Sequence, residues 1–223
     1  MINQIKMAVI KFPGLRVKPG ELHKIREYFA EQFRAFDLLH NNQPESDTYF
    51  YRYPAIQFKL TDLFSVYAYT DDAIAILKEV FLKSEHVNIA GKKMDLREMQ
   101  MEIKEASFGE DGQFYRYVFM SPWLALNQKN YKKFRTFATE TQKADMLRTI
   151  LVSNIIAFCK FADYTVEQRL VVTPELEQVA ANLKGDSHIG FKGEFKVNFL
   201  LPDYLGLGKS SSHGYGAICT LKE

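Results

Sequence analysis

Three stretches of the chain hold residue types able to do chemistry. The densest is Gly206-Leu207-Gly208-Lys209-Ser210-Ser211-Ser212-His213-Gly214-Tyr215-Gly216, which holds four of the 12 glycines. Two Gly-x-Gly pairs around a Lys and Ser run let the backbone come close to a partner, so the amides can face a phosphate. The same residues also suit a flexible hairpin connection whose serines serve turn chemistry. The second stretch is basic, with Lys129, Lys132, Lys133, Arg135, Lys143 and Arg148 set against Glu140 and Asp145. Such a run can track a phosphate backbone, or it can be a solvated helix face. The third is His40, in the polar run Leu38-Leu39-His40-Asn41-Asn42-Gln43-Pro44. An imidazole there has the intrinsic pKa to give or take a proton near neutrality, although a capping or surface histidine is the default for one residue taken alone.

Other chemistries have no foothold. Gly208-Lys209-Ser210 ends as a phosphate loop does, but its glycine spacing is wrong for a P-loop. There is no Gly-x-Ser-x-Gly and no metal constellation, so neither a metal nor a cofactor is expected. His23, His86 and His188 read as structural or solvent-facing.

The totals set the frame for these residues. A chain of 223 residues, 47% apolar, 14% aromatic and 25% charged, is too apolar for disorder and suits an aromatic-rich α+β or α/β protein. A net charge of +2 restricts any nucleic-acid footprint to a local patch. Cys159 and Cys219 stand far apart with no Cys-x-x-Cys, which argues against a disulfide framework and for a reducing compartment. The most apolar stretch, 150–159, is about half a membrane span. A cytoplasmic protein with no membrane partner is the expectation.

Periodicity then supplies the elements. Alternation over 5–9 predicts a strand, broken by Pro13, Gly14, Pro19 and Gly20. Apolar residues every three or four positions over 21–36 predict a helix. Residues 49–60 and 63–69 read as strands, 71–84 as a second helix started by Asp71 and Asp72, and 87–89 and 93–103 as further strands. Strand, helix, strand, strand, helix, strand is the ferredoxin-like order. Gly109-Glu110-Asp111-Gly112 is the expected boundary, dividing 1–112 from 113–223. In the second block 114–126 reads as extended, 129–137 and 142–161 as helices, and 166–173 and 190–200 as strands. The glycine-rich loop and a closing strand to Leu221 follow.

Taken together, three stretches resemble the CRISPR repeat-processing endoribonucleases of the RAMP superfamily. They are residues 206–216, Leu39-His40-Asn41-Asn42 with Tyr51-Arg52-Tyr53-Pro54-Ala55-Ile56-Gln57, and Ser121-Pro122-Trp123-Leu124-Ala125-Leu126-Asn127-Gln128-Lys129-Asn130-Tyr131. The resemblance implies an α+β chain of two tandem ferredoxin-like (RRM-like) domains, the second less regular. It implies antiviral RNA processing, in which a ribose 2′-hydroxyl attacks the adjacent phosphate without a metal and leaves a 2′,3′-cyclic phosphate. His40 is then the catalytic candidate, Tyr53 (or Tyr49 or Tyr51) a second hydroxyl, and Lys59 (or Arg52) the charge that offsets the phosphorane. RNA contacts fall to Gly206, Gly208, Lys209, Ser210, Ser211, Ser212, His213, Gly214 and Gly216, and to Lys129, Lys132, Lys133 and Arg135. Implied partners are CRISPR repeat RNA, a CRISPR effector complex and a second copy in a homodimer. One departure stands out: related sequences often read Leu-His-Asn-His where this chain has Asn42, and Asn cannot titrate. A catalytically inactive RNA-binding module is therefore one alternative; a structural subunit that holds a partner protein with the loop and basic helices is another.

Overall fold

The alternation at the amino terminus becomes a strand, β1 (Ile2–Lys11), whose centre, Met7 to Ile10, is buried on both faces. The computed structural model describes residues 1–18, 21–32, 53–89, 91–183 and 185–221. It divides into two compact units: Ile5–Ala106 with Ser212–Gly214, and Met1–Gln4 with Ser107–Ser211 and the chain from Tyr215 on.

After β1 come α1 (Leu22–Gln32), β2 (Ile56–Leu60), β3 (Phe64–Ala68), α2 (Asp71–Lys83), β4 (His86–Ile89), β5 (Lys92–Asp95) and β6 (Gln100–Gly109). The sheet runs β2-β3-β1-β6, with β4 and β5 a separate hairpin. Leu22, Ile25 and Phe29 turn inward from α1, and Phe29 meets Phe12 and Phe58 at ring distances of 6.3 and 6.2 Å. Burying rings of this size contributes about 1.5–3 kcal/mol each. On α2, Thr70 caps the amino terminus by accepting from the Ala73 amide (3.2 Å), and Asp71 and Asp72 complement the positive end of the helix. Its stripe of Ala73, Ile76, Leu77 and Val80 is buried.

The second unit continues with β7 (Tyr115–Phe119), α3 (Gln128–Thr136), α4 (Glu140–Phe161), β8 (Val172–Leu183), β9 (Asp186–Val197) and β10 (Ile218–Thr220), in the order β10-β7-β9-β8. If the sheet strands of each unit are counted along the chain, both sheets read 4-1-3-2, the ferredoxin-like arrangement twice. A capping box between Thr139 and Gln142 starts α4, and Leu147, Leu151, Ile155 and Phe158 bury one stripe of it. No described helix is long and apolar enough to cross a membrane. In the first unit the second crossover is helical, but here the chain from Asn198 to Ala217 takes its place without a helix, so the second domain is the less regular.

Two predicted strands differ from the structure. The strand read over 93–103 is two strands, because the Asp95 carboxylate accepts the Arg97 amide (2.8 Å) and the Met99 amide bonds Leu96 O (3.0 Å). That side-chain turn ends β5, and β6 supplies the fourth strand of the sheet. The strand read over 166–173 does not form before Val172. The buried Glu110 carboxylate accepts the amides of Glu167 (3.0 Å) and Gln168 (2.9 Å), and Asn198 Oδ1 accepts that of Val171 (2.7 Å). Side chains satisfy these donors where a strand would have used a ladder.

Candidate nucleic-acid interface

Within the second unit the glycine-rich loop is stitched down rather than flexible. The Lys209 amide donates to Leu124 O (3.1 Å), that of Gly216 to Pro122 O (3.0 Å), that of Leu207 to Gly216 O (2.9 Å), and that of Ala217 to Ser121 Oγ (3.0 Å). The loop therefore lies on the Ser121-Pro122-Trp123-Leu124 segment, a stretch the sequence marked out separately. Trp123 is buried, stacked on Phe119 at 5.4 Å and held by its Nε1–H donating to Asn154 Oδ1 (3.0 Å). Two glycines are geometrically required. Gly208 has φ +83° and a Cβ there would lie 2.5 Å from Trp123 Nε1; Gly216 has φ +62° and a Cβ 1.9 Å from Leu207 O. Lys209 is exposed and Ser210 half-buried, whereas Ser211 is buried. The amides of Leu207, Lys209, Tyr215 and Gly216 are all taken by backbone acceptors. What this part of the loop presents to solvent is thus chiefly the Lys209 ammonium.

Ser212, His213 and Gly214 group with the first unit. The Phe58 amide donates to Ser212 O (3.2 Å), and His213 bridges in parallel to Phe58 on the edge strand β2. Leu22 and Arg26, one turn apart on α1, meet the same tripeptide. A Cβ on Gly214 would lie 2.8 Å from Leu22 Cδ1, and Arg26 Nη1 is 3.4 Å from His213 Nε2. His213 Nδ1 is 3.0 Å from Ser212 Oγ, and Ser212 is buried. A guanidinium has only donors, so Nε2 accepts and the proton of the neutral ring sits on Nδ1, donating to Ser212 Oγ. Burial lowers the Arg26 pKa from its ordinary value, against the nearby Glu27 charge that raises it. The sequence reading did not single out Arg26; its i+4 spacing from Leu22 was the signal available.

The basic stretch divides in two. On α4, Lys143 pairs with Glu140 (2.7 Å) and Arg148 with Asp145 (2.5 Å). On α3, Lys129, Lys132, Lys133 and Arg135 are exposed, and none forms an ion pair with a described residue. Asn127 caps this helix by accepting the Asn130 amide (2.8 Å), and Phe134 anchors it against Phe191 at 5.7 Å.

His40 and Asn42 lie outside the described residues, as do Tyr49, Tyr51 and Arg52. Tyr53 and Lys59 are described and buried, at 6% and 0% exposure. Strand alternation puts Gln57, Lys59, Ser65 and Tyr67 on the face of the sheet away from Phe58 and Phe64, with Lys59 opposite Ser65 and Gln57 opposite Tyr67. All four side chains are buried there, and burial pulls the Lys59 amine down to about 7. Tyr69 is also buried, its hydroxyl has no partner among the described residues, and burial beside Tyr53 and Tyr67 pushes its pKa well up. Tyr53 and Lys59 are thus not surface contacts in this structure. They belong to a buried tyrosine and lysine layer that composition could not reveal. His23, His86 and His188 are half-buried and join no cluster of metal-ligating side chains among the described residues.

Comparison with known proteins agrees with this arrangement. The chain is similar to a crystal structure of Cas6b over 98% of its length and 100% of that chain, at 28% identity and a TM-score of 0.91. It is similar to a structure of CRISPR RNA processing endoribonuclease Cas6b over the same shares, at 27% identity and a TM-score of 0.80. The uncharacterized protein MJ0978 of Methanocaldococcus jannaschii is 38% identical over 146 residues, 65% of this chain and 99% of that relative. Residues 3–107 match the Cas6b N-terminal domain model and residues 109–221 the Cas6b C-terminal domain model. Matched by both domain models in their order along the chain, this protein belongs to the Cas6b family.

Proposed function

We propose that this chain is an endoribonuclease that binds and cuts CRISPR repeat RNA by attack of a ribose 2′-hydroxyl on the adjacent phosphate, without a metal, leaving a 2′,3′-cyclic phosphate and a 5′-hydroxyl. The observation that carries this reading is the whole-length likeness to a solved CRISPR RNA processing endoribonuclease, at an identity that reaches beyond fold alone. In this reading residues 1–112 carry the chemistry and 113–223 most of the RNA contacts. His40 moves the proton of the attacking hydroxyl or of the leaving oxygen. Lys59, its amine pulled down to about 7 by burial, is assigned to support it, and Tyr53 is buried in the same unit. Lys209 and the exposed cations of α3 hold phosphates and fix register.

The test is incubation of the purified protein with its matching repeat RNA in EDTA. Cleavage that persists in EDTA, yields a cyclic phosphate and is lost in His40→Ala is the expected result. Loss of cleavage in EDTA, or full activity in His40→Ala, overturns the mechanism. Asn42 gives a second reading, an RNA-binding module without chemistry. Tight binding to repeat RNA with no cutting between pH of about 6 and 9 selects it.

A further inference from the structure

The four cations of α3, none ion-paired with a described residue, are not equivalent. Gln128, Tyr131, Lys132 and Arg135 follow the spacing i, i+3, i+4, i+7, so they share one stripe and together line a shallow open groove along the helix. Lys129 and Lys133 occupy the neighbouring stripe, where the Lys133 ammonium lies 5.8 Å over the Phe137 ring. In the groove Tyr131 is 38% exposed, and the Arg135 guanidinium lies 5.9 Å from its ring centre. An exposed aromatic face, a planar guanidinium, an ammonium and a carboxamide thus lie side by side, with no carboxylate among the lining residues.

We propose that this groove is a track for a single-stranded segment of RNA, with one base stacked on Tyr131 and neighbouring phosphates on Lys132 and Arg135. The proposal rests on the reading that the ligand of this protein is RNA, and it assigns a part of that RNA to a place. A base lies beside its flanking phosphates along a single strand, and the groove sets one ring beside two cations, with Arg135 about one helical turn, near 5 Å, from Tyr131. An acidic peptide would meet the cations but would leave the Tyr131 face without a stacking partner, so single-stranded RNA is the occupant that uses every group present. A duplex would keep its bases stacked inside and likewise leave that ring unused.

The experiment uses the full chain, a labelled oligouridylate as probe, and two double variants that remove equal charge. Lys132→Ala with Arg135→Ala is expected to weaken oligouridylate binding about 10-fold or more, and to flatten the dependence of log affinity on log salt by about 1.4, two phosphates at about 0.7 each. Lys129→Ala with Lys133→Ala is expected to weaken it less than about 3-fold. Tyr131→Leu should lose about 10-fold with the salt slope unchanged, and Tyr131→Phe should restore the loss, since the ring and not the hydroxyl stacks. Equal losses in the two double variants overturn the groove in favour of a diffuse basic field. An unchanged affinity in Tyr131→Leu, or displacement of the probe by polyglutamate at matched charge, overturns it as well. All of these side chains are exposed, so the variants keep their fold. Failure of the proposed chemistry is distinguishable because it is read from cleavage of repeat RNA by His40→Ala, whereas the groove is read from binding of an uncut probe.

Discussion

The two sheets share one strand order, yet their second crossovers are built in opposite ways. Between β3 and β6 the first unit uses α2, a capped helix with a buried apolar stripe, acidic residues in its first turn and a basic one in its last. Between β9 and β10 the second unit uses the glycine-rich loop, which has no apolar stripe and is held by backbone hydrogen bonds and glycine contacts. A helix satisfies its own backbone and faces inward. A stitched loop borrows acceptors from a neighbouring segment and in return projects polar side chains at fixed positions. The difference sets up a contrast between a crossover that serves stability and one free to serve the proposed function, and both halves of that contrast can be tested.

The largest effect is expected where the loop leaves no room for a side chain. Gly216→Ala puts a Cβ 1.9 Å from Leu207 O at a φ of +62°, so the loop must come off its platform. A loss above about 4 kcal/mol, or no folding at all, is expected in chemical denaturation. Gly91 also has a positive φ, +80°, but a Cβ there meets nothing within 4 Å, so Gly91→Ala should cost only about 1 kcal/mol. Similar losses at the two positions would show that conformation alone, and not the stitching, makes the loop glycine-rich.

Next comes the helical crossover. Leu77 is 1% exposed on α2, and Leu77→Ala should cost about 2–5 kcal/mol through the cavity it leaves. Repeat RNA affinity per folded molecule should not change. A specific loss of affinity with stability intact would place α2 among the functional elements and erase the contrast.

Lys59 gives a pH signature to the first unit. Its folded pKa is about 7, below the ordinary lysine value near 10.4, so between these two values the unfolded chain holds a proton that the native chain lacks. Stability then rises with pH, by about 1 kcal/mol per unit once pH exceeds 7. The burial that pushes Cys159 up to about 12 works in the other direction, but only above the ordinary thiol value near 8.5, so between pH of about 7 and 8.5 the difference between the native chain and a Lys59 variant reports the lysine. Denaturation midpoints should climb across that window in the native chain and stay level in Lys59→Met. Equal slopes in both would mean that Lys59 is charged in the folded protein.

Much of the fold was legible because apolar periodicity is local. The α2 stripe, the Asp71 and Asp72 start, and the four-residue steps of α4 all lie within their own segments. The strand over 166–173 was misread because its amides are satisfied by Glu110 and Asn198, far away in sequence. For the same reason the sequence could name the 121–131 stretch and the glycine-rich loop but not show that one is the seat of the other. The burial of Lys59 could not be read from the sequence, because strand alternation tells which face a side chain takes, not whether that face is covered. The even spread of basic residues over 129–148 hid that Glu140 and Asp145 occupy only the cations of α4.

The smallest test matches one hydrogen bond in each crossover. Thr70 Oγ1 accepts the Ala73 amide at the start of α2, and Ser212 Oγ accepts the His213 Nδ1 proton in the loop. Each is one side-chain oxygen serving one donor, so Thr70→Ala and Ser212→Ala should each cost about 1 kcal/mol of stability. Their consequences should then separate. Without Thr70 the helix frays at its first turn, and nothing that faces RNA moves. Without Ser212 Oγ the tripeptide still pairs with β2 through the Phe58 amide and Arg26 still faces Nε2, but the His213 ring loses the partner of its Nδ1–H. Ring nitrogen shifts in NMR should report the Nδ1–H tautomer in both chains, with the Nδ1 resonance moved in Ser212→Ala by the lost hydrogen bond, and weaker repeat RNA binding in that variant alone. Equal affinity in the two variants, at equal stability, would make the second crossover as purely structural as the first.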